Sequence, residues 1–131
     1  MKYLLDTDTV IDIFEDRDNV RKQVLGLIEE DNEVALCVVT VAELYSGLSS
    51  KKRVEWDSWL LALPYWHIGF DVAVQAGTYR KAASEAGRPM SVSDSLLAAL
   101  ARDKGAILLT SNLKDYRMKD VRVMSLRDKA A

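Results

Sequence analysis

Three short runs of apolar residues set the terms for how this chain folds: Tyr3-Leu4-Leu5, Val34-Ala35-Leu36-Cys37-Val38-Val39 and Ala106-Ile107-Leu108-Leu109. Runs of this length without polar interruption read as strands buried on both faces. Between them lie longer stretches in which apolar side chains recur at helical spacing. Strand and helix in alternation give a parallel sheet covered by helices on both sides. The first run stops at Asp6 and is followed by Thr7-Asp8-Thr9. A first strand of this kind carries a carboxylate to its own carboxyl end, which is where open parallel sheets bind their ligands.

The elements follow from the same pattern. Residues 2–6 are expected as a strand and 8–15 as a short helix. Residues 18–30 read as a helix with Val20, Val24, Leu27 and Ile28 on one face. Residues 34–39 form the second strand, and 41–49 a helix with Val41, Leu44, Tyr45 and Leu48 in register. Residues 53–63 form a helix carrying Trp56, Trp59, Leu60 and Leu63, stopped by Pro64. A short strand at 65–68 precedes a helix at 71–86 ended by Gly87, and 92–104 is a helix ended by Gly105. Residues 106–109 are the third strand, 112–117 a short helix and 121–126 a last strand, with the tail Arg127–Ala131 frayed. Trp56 and Trp59 are packing groups, and their face also suits a dimer seam.

Composition narrows the function classes. The chain has 131 residues, the size of one domain spanning 1–131, and a formal charge of −2. That charge excludes the broad positive field of histone-like or repressor-like proteins. It leaves room for an enzyme that holds phosphate through a metal and a few local cations, for which Lys51-Lys52-Arg53, Arg80-Lys81, Arg88, Lys114, Arg117 and Lys119 are candidates. Cys37 is the single cysteine and reads as a small buried hydrophobe; no disulfide within the chain is possible. His67 is the single histidine, flanked by Trp66 and Ile68, with no nucleophile motif to work with. No signal peptide or spanning run is present, so the expected location is the cytoplasm.

Acidic residues mark the places where strands hand over to helices. Asp6 and Asp8 close the first strand, Glu43 follows the second, Asp94 opens the helix before the third, and Asp115 follows the third. Each has an ordinary explanation. Thr40-x-x-Glu43, Ser91-x-x-Asp94 and Asn112-x-x-Asp115 have the form of capping boxes, and acid in a first helical turn is favoured by about 0.3–1 kcal/mol. Two observations go further. Glu43 lies opposite the apolar stripe of its helix, so packing does not explain it. The strand ends of one sheet also face one crevice, and like charges about 5 Å apart at an effective dielectric near 20 repel by roughly 3 kcal/mol. Bound divalent cations relieve such repulsion. With oxygen ligands alone, Mg²⁺ or Mn²⁺ is expected rather than zinc, and such a site suits phosphodiester cleavage.

The segments Tyr3-Leu-Leu-Asp6-Thr-Asp-Thr-Val-Ile, Val39-Thr-Val-Ala-Glu43-Leu-Tyr-Ser-Gly47, Gly87-Arg-Pro-Met-Ser-Val-Ser-Asp94-Ser-Leu-Leu-Ala-Ala and Leu108-Leu-Thr110-Ser-Asn-Leu-Lys-Asp115-Tyr116 resemble, in order and spacing, the PIN-domain ribonucleases of the VapC toxin type. The resemblance implies a three-layer α/β/α sandwich with a mainly parallel sheet, often dimeric. It also implies Mg²⁺-dependent endoribonuclease activity (Mn²⁺ substituting), RNA as substrate and a cognate antitoxin as partner. It carries the family's first three acids onto Asp6, Glu43 and Asp94. Asp6 and Asp94 are then the metal ligands, and Glu43 orients or deprotonates the attacking water. The fourth acidic position falls on Asn112, which leaves Asp115 as the nearest acid to complete the catalytic set. Thr7, Asp8, Thr110, Ser111 and Asn112 form a polar surround; at Asp8, relatives often carry Asn.

Two rival readings attach to the same residues. Asp6-Thr7-Asp8-Thr9 also fits the Asp-x-Asp-x-Thr signature of haloacid-dehalogenase-type phosphatases, with Asp6 as nucleophile and Asp8 as general acid. That family needs a later Lys and a paired-acid motif after another strand, and too few residues follow Ser111. A non-catalytic PIN-fold module that binds RNA or a partner is the other alternative.

Overall fold

The computed structural model describes residues 1–127. Its strands are β1 (Lys2–Leu5), β2 (Glu33–Cys37), β3 (Tyr65–Trp66), β4 (Ile107–Leu109) and β5 (Arg122–Met124). They lie in the spatial order β3-β2-β1-β4-β5, and every pairing is parallel. The chain leaves β1 toward β2 on one side and later returns to β4 on the other. The carboxyl ends of β1 and β4 therefore flank the point where the winding reverses, which is where a crevice opens in such sheets.

Side chains alternate along the strands as the pleat requires. Tyr3, Leu5, Val34, Leu36 and Leu109 enter one apolar cluster, and Leu4, Ala35, Cys37 and Leu108 enter the other. The first cluster is closed by α1 (Thr7–Glu15), α2 (Val20–Glu29), α3 (Val38–Gly47) and α4 (Ser50–Leu60), through residues such as Val10, Val24, Leu44 and Trp56. The second is closed by α5 (Phe70–Glu85) and α6 (Val92–Lys104), through Val72, Ala76, Leu97 and Leu100. This is the expected α/β/α sandwich. Trp56 and Trp59 are packing groups as expected: Phe14 stacks on Trp56 with ring centroids 4.0 Å apart and meets Trp59 edge-on.

Several boundaries differ from the sequence expectation, each for a local reason. Val38 and Val39 belong to the first turn of α3, because β2 ends at Cys37. An apolar run cannot mark where a buried strand passes into a buried helix turn. The helix expected from residue 18 begins at Val20, since Asp16, Asp18 and Asn19 all take left-handed backbone conformations around a 3-10 turn. Helix α4 starts at Ser50, where the Ser49 hydroxyl accepts the Lys52 N–H, and stops four residues short of Pro64. The expected helix at 112–117 is a single 3-10 turn, Leu113–Asp115. Gly105 ends α6 at φ 62°, as a left-handed C-cap favours. His67 is exposed and packs edge-on against Tyr65, and Cys37 is fully buried. No helix among the described residues is long and apolar enough to cross a membrane.

The end of the described chain is anchored rather than frayed. Arg127 makes a two-pronged ion pair with Asp12 on α1, Nε to Oδ2 at 2.7 Å and Nη2 to Oδ1 at 3.1 Å. Asp12 is only 3% exposed. The rest of the expected frayed tail, 128–131, lies outside the described residues. Removing one partner of a buried pair leaves the other charge without compensation. Arg127→Ala is therefore expected to cost about 2–3 kcal/mol, read as a lower urea midpoint, and adding Asp12→Asn should restore part of the loss.

Candidate active site

Asp6 follows β1 directly and caps α1. The Thr7 N–H donates to its Oδ1 at 2.7 Å, and the Thr110 hydroxyl, from just beyond β4, donates to its Oδ2 at 2.8 Å. The Asp6 N–H extends the sheet ladder to the Leu109 carbonyl at 3.0 Å. Both oxygens are thus held before any ligand arrives, and the residue is 7% exposed. Asp94 stands in the first turn of α6, where its N–H donates to the Ser91 hydroxyl. That cap uses the Asp94 backbone and leaves its carboxylate for the crevice. Tyr116 joins the two acids: its hydroxyl lies 3.4 Å from Asp6 Oδ2 and 3.2 Å from Asp94 Oδ1.

Glu43 comes from the exposed side of α3. The Thr7 hydroxyl donates to its Oε1 at 2.6 Å, which ties it to the residue next to Asp6. The proposed Thr40-x-x-Glu43 cap does not form, because α3 begins at Val38 and Thr40 is already inside it. The buried Thr40 hydroxyl instead donates to the Leu5 carbonyl at 2.9 Å, fastening α3 to the end of β1. The Asn112-x-x-Asp115 cap is also absent: the Asn112 side chain donates to Asp8 Oδ2 at 3.3 Å. The same Asp8 oxygen accepts the Ser111 N–H at 2.9 Å and the Ser111 hydroxyl. Asp8 therefore clamps the loop after β4 to the start of α1, and a carboxylate so engaged is not a free general acid. The Thr9 hydroxyl adds a second tie, to the Leu109 carbonyl at 2.8 Å. Asp115 is exposed beside Asp94 and lines the same cavity.

A PIN-domain model matches residues 3–123. The chain belongs to the PIN-domain family. Among curated relatives, Ribonuclease VapC2 of Haemophilus influenzae is 29% identical over 136 aligned positions, covering 97% of this chain and 96% of the relative. Ribonuclease VapC2 of Rickettsia felis is 25% identical, covering 89% and 91%. Among solved structures, the Rickettsia felis VapBC2 complex bound to a promoter DNA fragment superposes with a TM-score of 0.83 at 23% identity, covering 95% of this chain and 98% of that one. FitAcB from Neisseria gonorrhoeae gives 0.80 at 25% identity, covering 95% and 97%.

The acids of this PIN domain feel one another. Burial, then the neighbouring Asp8 charge, push the Asp6 carboxyl from its ordinary 3.8 up to about 6, with Asp94 adding to the effect against the bonds from Thr110 and Thr7. Asp94 is also raised, first by burial, with Asp115 and Glu43 contributing. Among the described residues, no three Asp, Glu, His or Cys side chains stand close enough together to hold an ion directly. Asp6 and Asp94 fit a cation that binds through two carboxylates and keeps several of its waters, as Mg²⁺ does. Burial beside Asp8 and Asp94 disfavours the Asp6 charge, and a cation between Asp6 and Asp94 would favour it.

Asp115 has no hydrogen-bonded capping role, yet its charge acts on Asp94. Asp115→Ala is therefore expected to change the melting temperature very little, by about 0.5 kcal/mol or less in stability, as for other surface substitutions. Mn²⁺ affinity should fall, and Asn112→Asp should raise it by adding a negative oxygen. Calorimetric titration and a thermal melt on each variant check both expectations. Tyr116 is the site residue that sequence reasoning passed over. Its only signal is position, an aromatic immediately after the last acid.

Proposed function

We propose that this PIN domain is a Mg²⁺-dependent endoribonuclease, with Mn²⁺ as a working substitute, and that it acts as the toxin of a toxin–antitoxin pair. The observation that carries the reading is the pairing of Asp6 and Asp94 through one hydroxyl at the sheet's switch point, with Glu43 tethered to Thr7 beside them. Asp6 and Asp94 would hold the divalent cation, which would supply a water of lowered pKa and charge stabilisation at the leaving oxygen. Glu43, solvent-exposed and aimed by the Thr7 hydroxyl, accepts the proton of the attacking water. Asp115 adds negative charge on the far side of Asp94 and completes the catalytic set. Thr110 and Thr7 hold Asp6 at its angle, while Asp8 fixes Ser111 and Asn112 so that the Thr110 loop cannot drift.

A cavity of about 600 Å³ opens from Asp94 and Asp115, between the carboxyl-terminal half of α5 and residues 114–118. It is lined by the apolar Ala82, Ala83 and Met90 and by the cations Arg88, Lys114 and Arg117. None of these cations has a carboxylate within ion-pair distance among the described residues. An RNA strand laid along this cavity meets free cations at its phosphates while the scissile phosphate reaches the acids; such contacts position the strand but read no sequence. Curated relatives carry the name ribonuclease, and solved neighbours include toxin–antitoxin complexes, which supports RNA as substrate and an antitoxin as partner. The reading includes a homodimer working in the cytoplasm.

Purified protein incubated with total cellular RNA tests the proposal. Cleavage that requires Mg²⁺ or Mn²⁺ and stops with EDTA is expected. Intact RNA at high enzyme and metal concentrations would leave a binding module as the better reading. Expression without an antitoxin should arrest growth, and Asp6→Asn should relieve the arrest.

A further inference from the structure

The Tyr116 hydroxyl lies within hydrogen-bonding reach of one oxygen on each proposed metal ligand, Asp6 Oδ2 and Asp94 Oδ1, at 3.4 and 3.2 Å. Both distances are long for an O–H···O bond. A hydroxyl has one proton, so these lengths suit a donor divided between two acceptors. The phenol approaches from inside the protein: Tyr116 is 6% exposed and belongs to the apolar cluster that α5 and α6 form with the sheet. Its backbone N–H is tied to the Leu113 carbonyl at 3.2 Å, and packing in that cluster keeps the ring away from solvent. Asp94, by contrast, is only half-buried and lines the open cavity.

We propose that Tyr116 is a positioning residue that spaces the two metal-binding carboxylates from behind, holding Asp6 and Asp94 while their outward faces receive the ion. This rests on the reading of Asp6 and Asp94 as metal ligands. The chemistry is that of an outer-sphere donor. A neutral O–H between two like charges fixes the carboxylate planes, and it leaves lone pairs on the crevice side for the ion. Phenylalanine keeps the ring in the core and removes only that donor. The two carboxylates then have no common anchor, and the ion must supply the order itself. Loss of an outer-sphere partner typically weakens metal affinity about 10–100-fold.

The test is Mn²⁺ titration by calorimetry on the full chain, comparing wild type, Tyr116→Phe and Tyr45→Phe. Tyr45 also donates its hydroxyl to an aspartate, Asp57, but outside the acidic site. The expected result is binding by wild type and Tyr45→Phe alike, and about 10–100-fold weaker binding by Tyr116→Phe. Cleavage by Tyr116→Phe should need more Mn²⁺ yet reach a similar kcat at saturation, a split that a loss of core packing would not give. Metal-free melting curves confirm folding, and Tyr116→Met, which fills the space without a hydroxyl, replaces Tyr116→Phe if that variant is unstable. Equal Mn²⁺ affinity in wild type and both Tyr116 variants overturns the proposal alone. Absence of Mn²⁺ binding by wild type overturns the metal-site reading and this proposal with it.

Discussion

Asp94→Asn is expected to lower metal-dependent RNA cleavage by about 1000-fold or more with the fold intact. Metal catalysis supplies several kcal/mol of charge stabilisation, and each 1.36 kcal/mol is tenfold in rate. Folding should survive because the helix cap at this position uses the Asp94 backbone N–H and the Ser91 hydroxyl. The Asn carbonyl can still accept the Tyr116 O–H. A single-turnover assay on an RNA oligonucleotide, beside a circular dichroism melt, measures both parts. A folded Asp94→Asn protein that cleaves at the wild-type rate would remove Asp94 from the mechanism.

Asp6→Asn is expected to stabilise the metal-free protein while destroying its activity. Folding raises the Asp6 carboxyl from 3.8 to about 6. Between those values the native state binds more protons than the unfolded chain, so stability falls as pH rises through this window. Below about pH 4 both states are protonated and the penalty vanishes; above about pH 7 it is fully present. At 1.36 kcal/mol per pH unit of displacement the full penalty is roughly 3 kcal/mol. Asn carries no charge and escapes it. The wild-type metal-free protein should lose stability from pH 4 to pH 7 more steeply than Asp6→Asn, and Asp94, also raised, adds to the slope in the same direction. Saturating Mg²⁺ should close the gap between the two proteins at pH 7 by binding only the wild type tightly. Parallel pH slopes in EDTA would show that the Asp6 charge is already compensated.

The parts of this fold visible in the sequence are those written by burial. Leu4, Ala35 and Leu108 are apolar because both faces of the central strands are covered, and that produces uninterrupted runs. Asp6 and Asp94 were legible because an acid at a strand end or helix start has a defined place in a parallel sheet. Other features depend on contacts between residues far apart in the chain, 35 apart for Thr40 and Leu5 and more than a hundred for the rest, and no local pattern encodes them. Asp8 reads like an active-site acid but is consumed by Ser111 and Asn112. Thr40 and Asn112 read like caps but are spent on Leu5 and on Asp8. Arg127 looks like part of a loose tail until Asp12 is placed beneath it. Tyr116 shows the same limit: nothing near it in the chain says that its hydroxyl ends between two carboxylates.

The order of the strands has a consequence for biosynthesis. Asp6 is made about a hundred residues before Thr110 and Tyr116, which hold it. The central strand β1 has β4 as its neighbour on that side, so the crevice has no second wall until residue 109 is made. At about 5–20 residues per second, roughly 5–20 s separate the two halves of the site. A nascent or prematurely terminated chain therefore carries its first carboxylate without the scaffold that arms it. With Asp6 as the proposed metal ligand, a cell making this protein gains that interval, and every incomplete product, free of nuclease activity.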